Sequence, residues 1–280
     1  MLKNDKIVKP VFIVGTARSG TQEIYKLFSK HRDLCYFEHY VSKFWMKPFM
    51  FKLLPLFLKY QKTRYGIRRP RATQGIVWDR FDSPINYVDE KNATKEVTNY
   101  YHSAIEAELK AFKAKRFIGK HTRLCTSIKW VNVMFPDAFY IVVRRDPKDT
   151  VNLIHRKLEG WRDLPPQHAY THNYKGHHSI LEKFGENTVH RMEASIKFFN
   201  YQKDCMYNDL HVIKNRMIEI KFEDFQDSPK KIIKELYEFV ELEWYNKLDR
   251  IIPEKSEIQT NNTWKDLRSE EKTILKKAFP

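Results

Sequence analysis

The chain is poor in glycine and proline, with 8 and 12 of these residues among 280. This low content excludes collagen-like and low-complexity chains, and no internal repeat is visible at the periods of solenoid proteins. Hydrophobic residues make up 42% of the sequence, which is enough to build a full core. We therefore expect residues 1–280 to form a single domain.

Cysteine is also scarce, and the three cysteines, Cys35, Cys125 and Cys205, lie far apart without a C-x-x-C pair. An odd number of cysteines without metal-ligand spacing predicts reduced thiols and no metal site. The residues before the first predicted strand leave no room for a signal peptide or an anchor helix, so we expect a cytoplasmic protein.

Acidic residues are too few to balance the basic ones: 51 Lys and Arg stand against 35 Asp and Glu, a net charge of +16. The excess is either a means of solubility or a sign of an anionic cofactor, acceptor or surface. The basic residues are scattered and no nucleic-acid-binding motif is present, so nucleic acid is not an expected partner.

No apolar run is long enough to span a membrane. The most apolar segment, Phe44–Tyr60, is interrupted by Lys47, Pro48, Lys52 and Pro55. Three interpretations are open: a helical hairpin packed on the core, a mobile cover over the acceptor cleft, or a surface that docks on a lipid or partner. With the basic stretch Arg64–Arg71 it makes residues 40–75 an insertion that we expect to cover the acceptor site.

The most informative stretch joins a first strand to a first helix. Val11–Val14 is a short apolar run typical of a strand buried on both faces, and helical periodicity begins at about Thr21. The turn between them is Gly15–Gly20. Such a turn directs backbone N–H groups and a helix N-terminus at one point, which attracts phosphate.

This turn nearly matches a P-loop and then departs from it. Gly15 and Gly20 keep the interval of G-x-x-x-x-G-K-[ST], but Thr21 occupies the lysine position and the cation is Arg18, inside the loop. That arrangement suits a single anionic group at the 5′ end of a nucleotide better than ATP with Mg²⁺.

Two motifs together resemble the sulfotransferase superfamily, and in style the carbohydrate and tyrosylprotein sulfotransferases. The first is [KR]-S-G-T, present as Arg18–Thr21, and the second is R-[DN]-[PG], present as Arg145–Pro147 after a predicted strand. The resemblance implies the donor 3′-phosphoadenosine 5′-phosphosulfate (PAPS), with product PAP. It implies that Arg145 grips the 3′-phosphate, and that the 5′-phosphosulfate is bound by Arg18, Ser19, Gly20, Thr21 and Gln22.

The resemblance extends to other positions. A segment similar to the family's G-x-K contains Lys120, which implies a contact with the transferring sulfuryl group. An ungapped match places Glu38 and His39 at two family glutamates, the second of which is the general base. The family's usual serine is replaced by Leu153, so we expect Asn152 or Lys157 to compensate.

The remaining pattern alternates strands and helices. Strands are predicted at 117–120, 138–143 and 217–222, and helices at 94–115, 128–135, 189–207, from 228 and from 269. This order predicts an α/β fold with three αβα layers around a mostly parallel, P-loop-like sheet. The histidine-rich tract 168–178 has irregular spacing and is predicted to be a loop rather than a metal site.

The predicted activity is transfer of a sulfuryl group from PAPS to a hydroxyl or amine, with Arg18 and Lys120 in place of a metal. Glu23 stands where small-molecule members often have an aromatic residue, which favours a carbohydrate or protein acceptor, anionic or membrane-associated. Two alternatives remain: a non-catalytic module that binds a nucleotide, anion or membrane surface, and a P-loop kinase.

The predicted base can be tested by substitution. If neutral His39 accepts the acceptor proton, the rate rises with pH through about 6.5. His39→Gln then removes this acid limb and most of the rate, while Glu38→Gln spares both. The opposite outcome assigns the role to Glu38, with an acid limb near pH 4 to 5. Full activity in both variants would place the base elsewhere.

Overall fold

A computed structural model describes residues 7–37, 78, 87–159, 188–256 and 261–280. Several sequence predictions lie outside these ranges: the proposed bases Glu38 and His39, the insertion 40–75, and the histidine-rich tract 168–178. They stay predictions.

The described residues form a five-stranded parallel sheet in the order β2-β3-β1-β4-β5. Its strands are β1 (Val11–Val14), β2 (Leu34–Cys35), β3 (Arg116–Lys120), β4 (Phe139–Arg144) and β5 (Met217–Lys221). Because all the strands run in one direction, their carboxyl ends meet at a single edge of the sheet.

Helices connect the strands and follow the last one. They are α1 (Thr21–Phe28), α2 (Lys95–Phe112), α3 (Ile128–Met134), α4 (Pro147–Glu159), α5 (Thr188–Asp209), α6 (Phe222–Asp227), α7 (Pro229–Phe239), α8 (Asn246–Ile251) and α9 (Ser269–Ala278). Short 3₁₀ turns lie at Glu90–Asn92, Thr122–Thr126, Leu210–Arg216 and Thr263–Asp266.

Both faces of the sheet are buried, as the continuous apolar runs of its strands predict. Along β1, Val11 and Ile13 pack in one core cluster with α1 and α7, while Phe12 and Val14 pack in another with α2 and α3. Successive side chains of a strand point to opposite faces, so the two clusters lie on opposite sides of the sheet. The predicted three-layer αβα architecture is confirmed.

The long elements follow the predicted boundaries closely. The helix predicted at 94–115 is α2, which begins after Thr94, whose hydroxyl accepts from the Val97 N–H at 3.3 Å. It ends at Lys113, which adopts the left-handed conformation common at helix C-termini. Shorter elements, namely β2, α6 and α8, were not predicted because they span too few residues to show a period.

Two acidic residues in the sequence, Asp146 and Asp149, are candidates for the cap of α4, and the structure distinguishes them. Asp146 is the cap, since its Oδ1 accepts from the Asp149 N–H at 2.9 Å. The Asp149 carboxylate accepts instead from the backbone N–H groups of Asn262 and Thr263, at 2.8 and 2.6 Å. Asp149 therefore fastens the C-terminal segment to the start of α4.

None of the three cysteines, all within the described residues, forms a disulfide, and Cys35 and Cys125 are buried. Within the described ranges, no helix combines the length and the apolarity that crossing a bilayer would need.

Candidate functional site

Of the predicted site residues, the loop residues Arg18–Gln22, Lys120 and Arg145 lie where β1, β3 and β4 end. Ile13 of β1 is aligned with Lys120 on one side and with Ile141 of β4 on the other. In the strand order, the connection that follows β1 leads to β2 at one end of the sheet, and the connection that follows β4 leads to β5 at the other end. Such a divergence opens a crevice at the carboxyl edge, where open α/β sheets bind ligands.

A tight turn over Thr16–Ser19 presents Arg18 to this crevice. The Ser19 N–H donates to the Thr16 carbonyl at 3.2 Å, and Arg18 has a φ of 67°. A positive φ at the third residue is the mark of a type II turn, whose usual occupant there is glycine or asparagine. An arginine in this conformation costs about 1–2 kcal/mol, so local backbone preference does not explain its presence.

Contacts on both sides hold the turn in place. The Ala17 N–H donates to Gln202 Oε1 on α5 at 2.7 Å, and Arg145 donates to the Arg18 carbonyl at 3.4 Å. At the start of the loop, a Cβ on Gly15 would lie 2.7 Å from the Val143 carbonyl oxygen, which is too close. Only glycine therefore lets the loop pass so near to β4.

Lys120 is a buried cation beside Arg18. Its side chain ends β3 and the residue is 5% exposed. Burial is the main cause that lowers the pKa of Lys120 to about 8. The positive charge of Arg18 contributes to this shift, and the negative charge of Glu23 opposes it. Arg18 is exposed whereas Lys120 is buried. Two like charges brought together repel each other, and a bound anion relieves that repulsion. The arrangement is that of an anion site.

The loop also offers polar groups that the described part of the protein leaves unsatisfied. Ser19 Oγ and the Gln22 side-chain amide oxygen are buried without a hydrogen-bond partner there. The N–H groups of Thr21 and Gln22 precede the first hydrogen bond within α1. Because the Ser19 N–H is already used within the turn, the hydroxyl is the group that Ser19 can offer to a ligand.

Arg145 lies on the far side of the same loop. Its guanidinium lies 5.0 Å from the centroid of the Phe222 ring and the residue is buried. Burial lowers the pKa of Arg145, an effect that the charges of Asp149 and Glu223 oppose. The structure thus brings the two predicted nucleotide motifs together, through the contact of Arg145 with the Arg18 carbonyl.

Asn152 and Lys157, the two predicted replacements for the missing serine, differ in their surroundings. Thr263 Oγ1 donates to Asp149 at 2.8 Å, so it must accept from Asn152 Nδ2, at 3.0 Å. That leaves the Asn152 amide oxygen buried and without a partner in the described residues. Lys157 is exposed, one helical turn beyond Leu153. A nucleotide contact by either residue stays a prediction.

Sequence reasoning missed three neighbours of the loop. Gln202 lies in the middle of a helix far along the chain, and no local pattern distinguishes it. Phe222 was predicted as the last residue of a strand, but it begins α6 and covers Gly20. His121 follows Lys120. Its imidazole has a pKa well below the usual 6.5, mainly because it is buried and also because Arg123 and Lys120 are positively charged.

The comparisons with known proteins agree with this geometry. A sequence model described as the sulfotransferase family matches residues 10–246. The chain belongs to the sulfotransferase family. The match includes every predicted site residue, and the activity of the family is sulfuryl transfer, with PAPS as the implied donor. No curated protein matches the sequence.

Solved sulfotransferases share the fold. The sulfotransferase STF1 from Mycobacterium tuberculosis is 11% identical, with a TM-score of 0.58 over 99% of this chain and 77% of that one. The sulfotransferase STF9 from Mycobacterium avium is 14% identical, with a TM-score of 0.55 over 88% of this chain and 67% of that one. At such low identity the likeness extends to the fold alone.

The loop geometry predicts that Gly20→Ala destabilises the protein for two separable reasons. Gly20 has a φ of 92°, and a Cβ there would overlap the Phe222 ring. The backbone strain amounts to about 1–2 kcal/mol, and the overlap to about 1–3 kcal/mol. Urea unfolding measures the loss in the wild type and in a Phe222→Ala background, where only the strain remains. Equal losses in both backgrounds would contradict the overlap.

Proposed function

We propose that this chain transfers a sulfuryl group from PAPS to a hydroxyl or amine of a carbohydrate or protein acceptor, without a metal. The single observation that carries the proposal is the buried Lys120 ammonium beside the Arg18 guanidinium. Positive charge that stands ready in a water-poor crevice can stabilise the charge that develops on transferring oxygens. When bound, PAPS supplies the activated sulfuryl group.

The residues of the 5′ loop fit such a ligand. The buried Ser19 hydroxyl lacks a partner in the described part of the chain, and the N–H groups of Thr21 and Gln22 lie at the start of α1. Gly20 takes a left-handed φ that lets the backbone turn into the helix. Arg18, Ser19, Gly20, Thr21 and Gln22 would together hold the 5′-phosphosulfate.

Arg145 would hold the 3′-phosphate. It is buried, rests on an aromatic ring and is fixed to the loop, so little freedom is lost when it binds. A guanidinium can present two parallel N–H groups to a phosphate. A replacement for the absent serine must donate to the phosphate, whose oxygens only accept. Asn152 is buried and its Nδ2 carries a second N–H besides the one donated to Thr263, whereas the Lys157 ammonium is exposed.

Lys120 keeps its proton at neutral pH, since its pKa of about 8 lies above 7. A bound anion would raise that pKa and hold the ammonium charged. Together with the guanidinium of Arg18, the Lys120 ammonium supplies positive charge beside the loop. Glu38 or His39 would accept the proton of the acceptor; both lie outside the described residues, and their roles rest on the resemblance alone.

The proposal predicts that PAP raises the melting temperature more than AMP does, with or without excess EDTA. A ligand that binds only the folded state must stabilise it. In this proposal Arg145 binds the 3′-phosphate, which AMP lacks. Thermal unfolding with each nucleotide measures the difference, and in Arg145→Ala the shift with PAP should fall to that with AMP measured in the same variant. Equal shifts for PAP and AMP in the wild type would contradict the role of Arg145, and a requirement for Mg²⁺ would favour a kinase.

A further inference from the structure

Gln202 is a buried polar residue that reaches the nucleotide loop from a distant part of the chain. It lies on α5, is 2% exposed, and its Oε1 accepts the Ala17 N–H at 2.7 Å. A backbone N–H can only donate, so the side-chain atom that faces it is the amide oxygen. Ala17 lies 185 residues away in sequence, so the contact exists only in the folded protein.

The hydrogen bond from the Ala17 N–H to Gln202 stabilises a turn whose backbone conformation the local sequence does not favour. Arg18 holds the left-handed position of the Thr16–Ser19 turn, which glycine would adopt without strain. The turn's own hydrogen bond, from the Ser19 N–H to the Thr16 carbonyl, is 3.2 Å long. The shorter bond to Gln202 fixes the peptide before Ala17, and Arg145 contacts the Arg18 carbonyl on the other side. The strained residue is therefore held at both ends.

The chemistry of glutamine suits this place. Its amide oxygen accepts a hydrogen bond without carrying a net charge, whereas a carboxylate there would attract Arg18 and compete with a bound anion. An apolar side chain of the same length would leave the Ala17 N–H without its partner and would release the turn.

We infer that Gln202 is a positioning residue: through the Ala17 N–H it holds Arg18 in the left-handed conformation that presents its guanidinium to the 5′ group of the nucleotide. The inference rests on the proposed function, because it concerns the same anion site. It adds α5 to the elements that determine the affinity of that site.

The test separates the 5′ group from the rest of the nucleotide and needs no acceptor. Isothermal titration gives the dissociation constants of PAP and of adenosine 3′-phosphate, which lacks the 5′-phosphate. The dissociation constant of adenosine 3′-phosphate divided by that of PAP measures how well the loop binds a 5′ anion. Gln202→Met should reduce this ratio about tenfold and leave the binding of adenosine 3′-phosphate unchanged. A tenfold change corresponds to the loss of about one hydrogen bond.

A matched control comes from Gln226, which is also fully buried but lies on α6. Gln226→Met makes the same chemical change and should leave the ratio at its wild-type value. A fall of the ratio in both variants, or in neither, would overturn the inference.

A double substitution distinguishes positioning from a general loss of structure. In an Arg18→Gly background the guanidinium is absent and the turn is unstrained, so Gln202→Met should leave the ratio unchanged, although loss of the hydrogen bond to the Ala17 N–H still lowers the urea midpoint. An undiminished further loss of affinity there would show that Gln202 does not act through Arg18. If the wild-type protein binds PAP no more tightly than it binds adenosine 3′-phosphate, the proposed 5′ site itself is wrong.

Discussion

The site depends on a lysine that is buried against another cation. Removing Lys120 from water disfavours its charged form, and the neighbouring charge of Arg18 disfavours it further. A bound anion would offset this cost, and the described surroundings offer groups that bind one: the buried Ser19 hydroxyl, the N–H groups at the start of α1 and the buried guanidinium of Arg145. The chain's sulfotransferase-family membership supplies the chemistry that this arrangement suits.

The rest of the fold places these charges. Parallel strands bring the ends of β1, β3 and β4 to one edge, so Lys120 and the loop lie at the same edge of the sheet. Phe222 closes over Gly20 and also stacks against Arg145, which makes the start of α6 a shared wall of both nucleotide motifs. Asp149 joins α4 to the C-terminal segment, so the helix that follows Arg145 is braced from the end of the chain.

Much of this could be predicted from the sequence, for a physical reason. Strands buried on both faces are continuous apolar runs, and parallel strands end at one edge, so the proximity of Arg18, Lys120 and Arg145 followed from their positions after three such runs. The left-handed conformation of Arg18 could not be predicted, because the usual signal for it is glycine. The contact of Gln202 with the loop is set by tertiary packing alone, and the short elements β2 and α6 show no period.

The central claim, that Lys120 is a buried cation held for an anion, is tested most directly by titrating its side-chain amine. Lysine labelled with ¹³C and ¹⁵N at the chain end can be followed by NMR, with the Lys120 signal assigned from its loss in Lys120→Arg. The account predicts a pKa of about 8 in the free protein, well below the ordinary 10.5, and a clear rise when PAP is saturating. A pKa near 10.5 in the free protein, or one that PAP leaves unchanged, would contradict it.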